Sequence, residues 1–253
     1  MRRRLARVPV TVVYAALLVV VTVTVAALGP AAHDRVVGYA STNLHNLGAG
    51  RVDTLFASAL VADDGRFFLW LPGLICLLAV AELVWRSRRL LAVFLGGHIG
   101  TTLVVAAGLV AAVELGWLPW SISRVADVGV SYGVLTVVGA LTAVVPARLR
   151  AAWLGWWLAG SVAVLAVGDD FTEAGHVVAL ALGVGLSPRL AAPVRWTPVE
   201  GALFGVGACF GYAVLVHTPE LAVVGVPASA VGAALVAMIS GWLSRVKNYR
   251  KQH

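Results

Sequence analysis

Long apolar runs alternate with short polar connections along almost the whole chain. They lie at about 8–28, 67–84, 90–113, 127–145, 151–167, 174–188, 201–217 and 221–243. At about 1.5 Å of rise per residue each approaches the thickness of a bilayer, so the pattern predicts eight transmembrane helices. The one long connection, 29–66, is polar, yet Val52, Leu55, Phe56 and Leu60 share a helical face. That periodicity predicts a segment lying in the membrane interface. The first run follows Arg2, Arg3, Arg4 and Arg7. It exceeds the roughly 7–15 residues of a signal-peptide core, which favours an uncleaved first helix.

Composition excludes a water-soluble globule. Of 253 residues, 60% are hydrophobic and 12% are charged, against about 25% charge in soluble domains; the mean hydropathy is +0.91. The expected class is an all-α, polytopic helical membrane protein in contact with the lipid bilayer. The net charge of +7 is spread between the apolar runs, so it reads as a topology signal, and no nucleic-acid partner is expected. Arg86, Arg88, Arg89, Arg148, Arg150, Arg189, Arg195 and the tail Arg245, Lys247, Arg250 and Lys251 fall on alternate connections. Asp63, Asp64, Glu114, Asp169, Asp170 and Glu173 fall on the others. With eight spans, this places the N- and C-termini in the cytoplasm. Cys76 and Cys209 lie inside apolar runs without a paired framework, which makes them buried hydrophobes.

The candidate chemistry sits on two helices. Ser131 is four residues past Asp127, about 6 Å deep, and His176 is three residues past Glu173, about 4.5 Å deep from the same side. Gly129, Gly133 and Gly139 on one helix, with Gly175, Ala179 and Gly183 on the other, permit close packing. A histidine beside a serine can take its proton and make it a nucleophile. Backbone N–H groups at the helix start can stabilise an oxyanion. A serine among glycines also serves as plain packing, and both readings stand at this point. His98, by the same measure, lies about 12 Å below Ser131 and serves a helix-to-helix hydrogen bond. His45 and Asn46 belong to a solvated loop, and Asp169, Asp170 and Glu173 cap a helix. Trp153, Trp156 and Trp157 read as interface anchors. No metal-binding spacing occurs, and no metal or cofactor is expected.

Gly129-Val130-Ser131 with Gly133, followed two spans later by His176, Ala179 and Gly183, resembles the rhomboid intramembrane serine proteases. The stretch from Arg51 to Leu60 is similar to the part of their first loop that lies in the membrane. The resemblance covers about 10–190. It implies a rhomboid-like six-helix membrane core over 1–190, with 191–253 adding two transmembrane helices and a basic cytoplasmic tail. It further implies a protein of the bacterial cell membrane, similar to divergent rhomboid-like proteins of high-GC bacteria. Its activity would be serine endopeptidase cleavage of transmembrane substrates near their extracytoplasmic ends, with Ser131 as nucleophile and His176 as base. Gly129, Tyr132, Gly133, Ala179 and Gly183 would surround that site. The chain departs from the family pattern at Tyr132, where glycine is usual, and at Leu135, where an aromatic is common. Phe67 to Pro72 also lacks the histidine and asparagine that supply oxyanion donors. These departures motivate an alternative: a catalytically inactive member that binds or escorts membrane clients. A small transporter is a third reading, opposed by the scarcity of polar residues in the cytoplasmic half.

Overall fold

The computed structural model describes residues 7–62 and 66–252, with side chains as far as Arg245. Arg2, Arg3, Arg4, Asp63 and Asp64 lie outside the described residues, as do the side chains of Lys247, Arg250 and Lys251. Among the described residues there are ten α-helices and no strand. α1 (Pro9–Leu28) is the first expected span. The long connection forms α2 (Pro30–Ala40), α3 (Leu44–Gly48) and α4 (Thr54–Ala57), followed by a 3-10 turn, Ser58–Leu60. α5 (Phe67–Glu114), α6 (Ser131–Ala140), α7 (Ala147–Val167) and α8 (Phe171–Leu186) complete a six-helix core, in which α5 counts twice. α9 (Pro198–Leu215) and α10 (Pro219–Gln252) are the two C-terminal membrane helices.

Among the described residues, five helices are long and apolar enough to cross a membrane: α1, α5, α7, α9 and α10. α5 runs through the expected connection at 85–89 without a loop. Its 48 residues are broken only at Arg86, where φ is 66° and ψ is 161°. Thr11 of α1 meets Glu82 before the break, and Tyr14 meets Phe94 after it. Three residues of α1, about 4.5 Å, thus match twelve of α5, about 18 Å if straight, so the two arms fold towards each other.

Glu82 organises this end of the bundle. It is 1% exposed, and its carboxylate accepts from Val10 N at 3.0 Å, Thr11 N at 2.8 Å, Thr11 Oγ1 at 2.7 Å and Ser87 Oγ at 2.6 Å. The first N–H groups of a helix have no partner within it. Here an acid from another helix supplies one, across the break it also helps to hold.

Small residues set the helix contacts. A side chain at Gly139 would strike the Leu180 carbonyl, and one at Gly183 would strike that of Thr136. α6 and α8 therefore touch backbone to backbone, as the spacing of small residues predicts. Gly155 and Gly232 do the same for α7 and α10, while Gly207 of α9 lies on Leu77 of α5. The tryptophans depart from expectation. Trp157 is 2% exposed, and Trp153 donates to Thr142 Oγ1 at 3.0 Å while packing on Phe204. The arrival of α9 turns this face of α7 inward, so Trp157 is core rather than an interface anchor, and Trp153 is half-buried against α9.

The conformation of Arg86 is one that essentially only glycine adopts without strain, at a cost of about 1–3 kcal/mol. Arg86→Gly is expected to raise the stability of the detergent-solubilised protein by about 1 kcal/mol. A thermal melt in which the variant unfolds no later than wild type would refute this.

Candidate functional site

The site is built from the first loop upward. Asp127 N donates to Ser41 Oγ at 2.9 Å, and the Asp127 carbonyl accepts from Thr42 N at 2.9 Å. Thr42 Oγ1 also reaches the Asp127 carboxylate, at 3.2 Å. Two residues on, Gly129 N donates to the Ser58 carbonyl at 2.9 Å. Gly129 has φ of 123°, a conformation that favours glycine. These bonds keep 127–130 out of the helix, which is why α6 begins at Ser131, four residues later than hydropathy suggests.

Ser131 is the first residue of α6 and half-buried. The hydrogen-bond ladder opens with Val134 N to the Val130 carbonyl at 3.0 Å, leaving the N–H groups of Ser131, Tyr132 and Gly133 ahead of it. Tyr132 is 2% exposed and points into the bundle. Its ring lies 6.2 Å from that of His98 and 6.1 Å from that of His176, centre to centre. Gly175 makes room for it: a side chain at 175 would begin where the Tyr132 phenol stands. Gly133 lies against the Phe94 ring, and Ala179 and Gly183 face α6 from the buried side of α8.

His176 is buried, and neither ring nitrogen has a hydrogen-bond partner among the described residues. The Ser131 hydroxyl is therefore not hydrogen-bonded to His176 in this conformation. The residue that packs on the histidine is Tyr132. His217, from the connection between α9 and α10, also approaches His176, 5.7 Å away with the rings nearly perpendicular. His217 Nε2 is 3.6 Å from Glu173 Oε1, a contact that becomes an ion pair when the imidazole is protonated. The other Glu173 oxygen accepts from Asp170 N at 3.1 Å and completes a capping box at the start of α8. The capping role expected of Asp170 and Glu173 is thus present, and Glu173 carries the His217 contact as well. Histidine 217 gave no signal in the sequence, because it lies at the edge of an apolar run two helices away.

The bonded serine–histidine pair in this protein is a different one. Ser58 Oγ lies 2.9 Å from His98 Nε2, with both residues buried. His98 is not far below the site, as counting from residue 90 suggests, but beside Tyr132. The second arm of α5 starts directly after Arg86, and the first loop descends far enough for the Ala59 carbonyl to accept from Tyr14 of α1. Asn46 is buried and holds that loop, donating to the Gly38 and Ser41 carbonyls at 3.0 and 2.8 Å and accepting from Arg51 at 3.1 Å. The expectation of a solvated loop therefore holds for exposed His45 and not for Asn46. Among the described residues no group of three or more His, Cys, Asp or Glu is placed to hold a metal ion.

Burial pushes the Asp127 carboxyl up to about 6; the approach of the Thr42 and Tyr132 hydroxyls opposes the rise, and the Asp170 charge adds a little to it. With the folded value above the unfolded one, the folded protein keeps a proton that the unfolded chain releases between about pH 4 and 6. This contribution is most favourable below pH 4 and is lost as pH rises through that window. Asp127→Asn is expected to flatten that part of the stability profile, as measured by melts across pH; an unchanged slope would count against the assignment. Ser58→Ala leaves a buried imidazole nitrogen unpaired and is expected to cost about 1–3 kcal/mol. A chemical-denaturation difference below 0.5 kcal/mol, roughly the scale of a surface change, would refute it.

A family model described as a rhomboid-like protein matches residues 3–195. No curated protein and no solved structure matches the chain. α9, α10 and His217 lie beyond the matched residues.

Proposed function

Because this chain belongs to the rhomboid-like family, we propose that it binds or escorts transmembrane segments of client proteins without cleaving them. The observation that carries this reading is the unbonded His176 with Tyr132 packed against it. A serine is a weak nucleophile unless a base within hydrogen-bond reach takes its proton. The start of α5 adds no help. Phe67 there is 2% exposed and packs against Phe68 and Trp70, and the stretch 67–72 carries neither the histidine nor the asparagine from which the family's oxyanion donors come. Losing one such donor typically costs about 10²–10³ in rate. The clients would be apolar transmembrane segments, recognised within the bilayer. With the termini in the cytoplasm, as the charge distribution predicts, the Ser131 end would face the outside of a bacterial cell membrane. In this reading α9 and α10 are an addition to a core that ends near residue 190.

A second reading, intramembrane serine proteolysis by Ser131 and His176, is favoured by one observation. Ser131 opens α6 half-exposed, with free N–H groups ahead of the helix ladder, which suits an oxyanion. It requires Tyr132 to leave the histidine and the serine hydroxyl to reach it.

Fluorophosphonate labelling of the membrane-embedded protein separates the two. Wild type, Ser131→Ala and His176→Ala are expected to remain equally unlabelled, while photo-crosslinked client segments are retained by all three. Label on wild type that disappears in Ser131→Ala and His176→Ala would overturn the non-catalytic reading in favour of the protease.

A further inference from the structure

Between α1, α2 and the first-loop turn lies an apolar groove of about 480 Å³, open to the side. Val21 of α1 forms one wall, Ala32 and Val36 of α2 the other, and Ala57 and Leu60 line the rest. Arg35 and Tyr39 border it from α2; they are four residues apart and so share a helix face. None of these residues belongs to the Ser131 site.

Arg35 is the only cation in the lining, and it is exposed. It makes no hydrogen bond or ion pair with any described residue. The neighbouring Asp34 carboxylate is turned to His33, at 3.5 Å. Tyr39 is fixed in place: the Arg51 guanidinium lies 3.9 Å from its ring centre and donates to its carbonyl at 2.6 Å. One arginine is thus spent on holding the wall, and the other is left free at the mouth.

The geometry points to a seat for one anionic phospholipid, its phosphate on Arg35 and an acyl chain along the groove. The chemistry needs both halves of such a molecule. A guanidinium matches phosphate oxygens in a two-pronged arrangement, while the remaining lining is hydrocarbon apart from the Tyr39 phenol. A phenol is at home at the level of lipid headgroups. A transmembrane helix of a partner is a poorer fit. With a diameter of about 10–12 Å, roughly one helical turn would fill the volume.

The test is native mass spectrometry of the full-length protein in mild detergent, offered equal amounts of phosphatidylglycerol and phosphatidylcholine. Both lipids carry a phosphate, but in phosphatidylcholine a quaternary ammonium beside it opposes the Arg35 charge, so the expected result is one retained lipid, phosphatidylglycerol, preferred about tenfold. Arg35→Gln should bring the two lipids to parity, and Arg35→Lys should keep part of the preference. Ala57→Trp should fill the groove and lose both lipids while melting like wild type; if it misfolds, the Arg35 pair alone decides. Parity in wild type, a preference intact in Arg35→Gln, or a lipid-free dimer would each overturn the proposal.

Discussion

Inside a bundle of apolar helices, a loop that descends from the surface must find partners for its backbone within the protein, because hydrocarbon offers none. The first loop of this chain meets that demand largely through Ser58. Its hydroxyl lies against His98 and its carbonyl takes the Gly129 N–H. One residue of a 3-10 turn thereby joins the loop, the second arm of α5 and the approach to α6. Tyr14 closes the neighbouring carbonyl, and Ser41, Thr42 and Asn46 close the rest. The place at which α6 begins, and so the position of Ser131, follows from these bonds as much as from the residues of α6.

The same constraint explains why sequence and structure agree in some places and part in others. Hydropathy located the five described helices that are long and apolar enough to cross a membrane, reading α5 as two, and the small residues marked the α6–α8 contact, because both signals depend on the pattern along a single helix. Depth was legible too: residues 131 and 176 do lie near the same end of their helices. Direction around the axis was not. One residue turns a helical side chain by about 100°, and it is Tyr132, not its neighbour Ser131, that meets α8. Gly175 carried the clue, since it is the residue whose missing side chain admits the ring. His98 was misplaced for another reason. Its height depended on where α5 resumes after the arginines, and a single residue, Arg86, replaces the connection that the charges suggested.

The C-terminal pair of helices changes what the core presents. α9 lies on the first arm of α5, α10 lies on α7, and their connection brings His217 to the buried histidine. α9 also packs on Trp153 and Trp157, leaving the first half-buried and the second interior. Residues beyond the family match thus alter the surroundings of residues within it, and neither part of the chain is chemically complete when considered alone.

Glu82 carries a consequence for how the protein is made. Its acid is acceptable in the bundle because the first turn of α1 surrounds it with donors. A nascent chain that inserts α5 before α1 has docked holds that acid in lipid, a costly and recognisable state. The N-terminal helix thus completes α5 chemically: a copy that loses it keeps its apolar helices but leaves the Glu82 carboxylate with Ser87 alone of its four donor bonds.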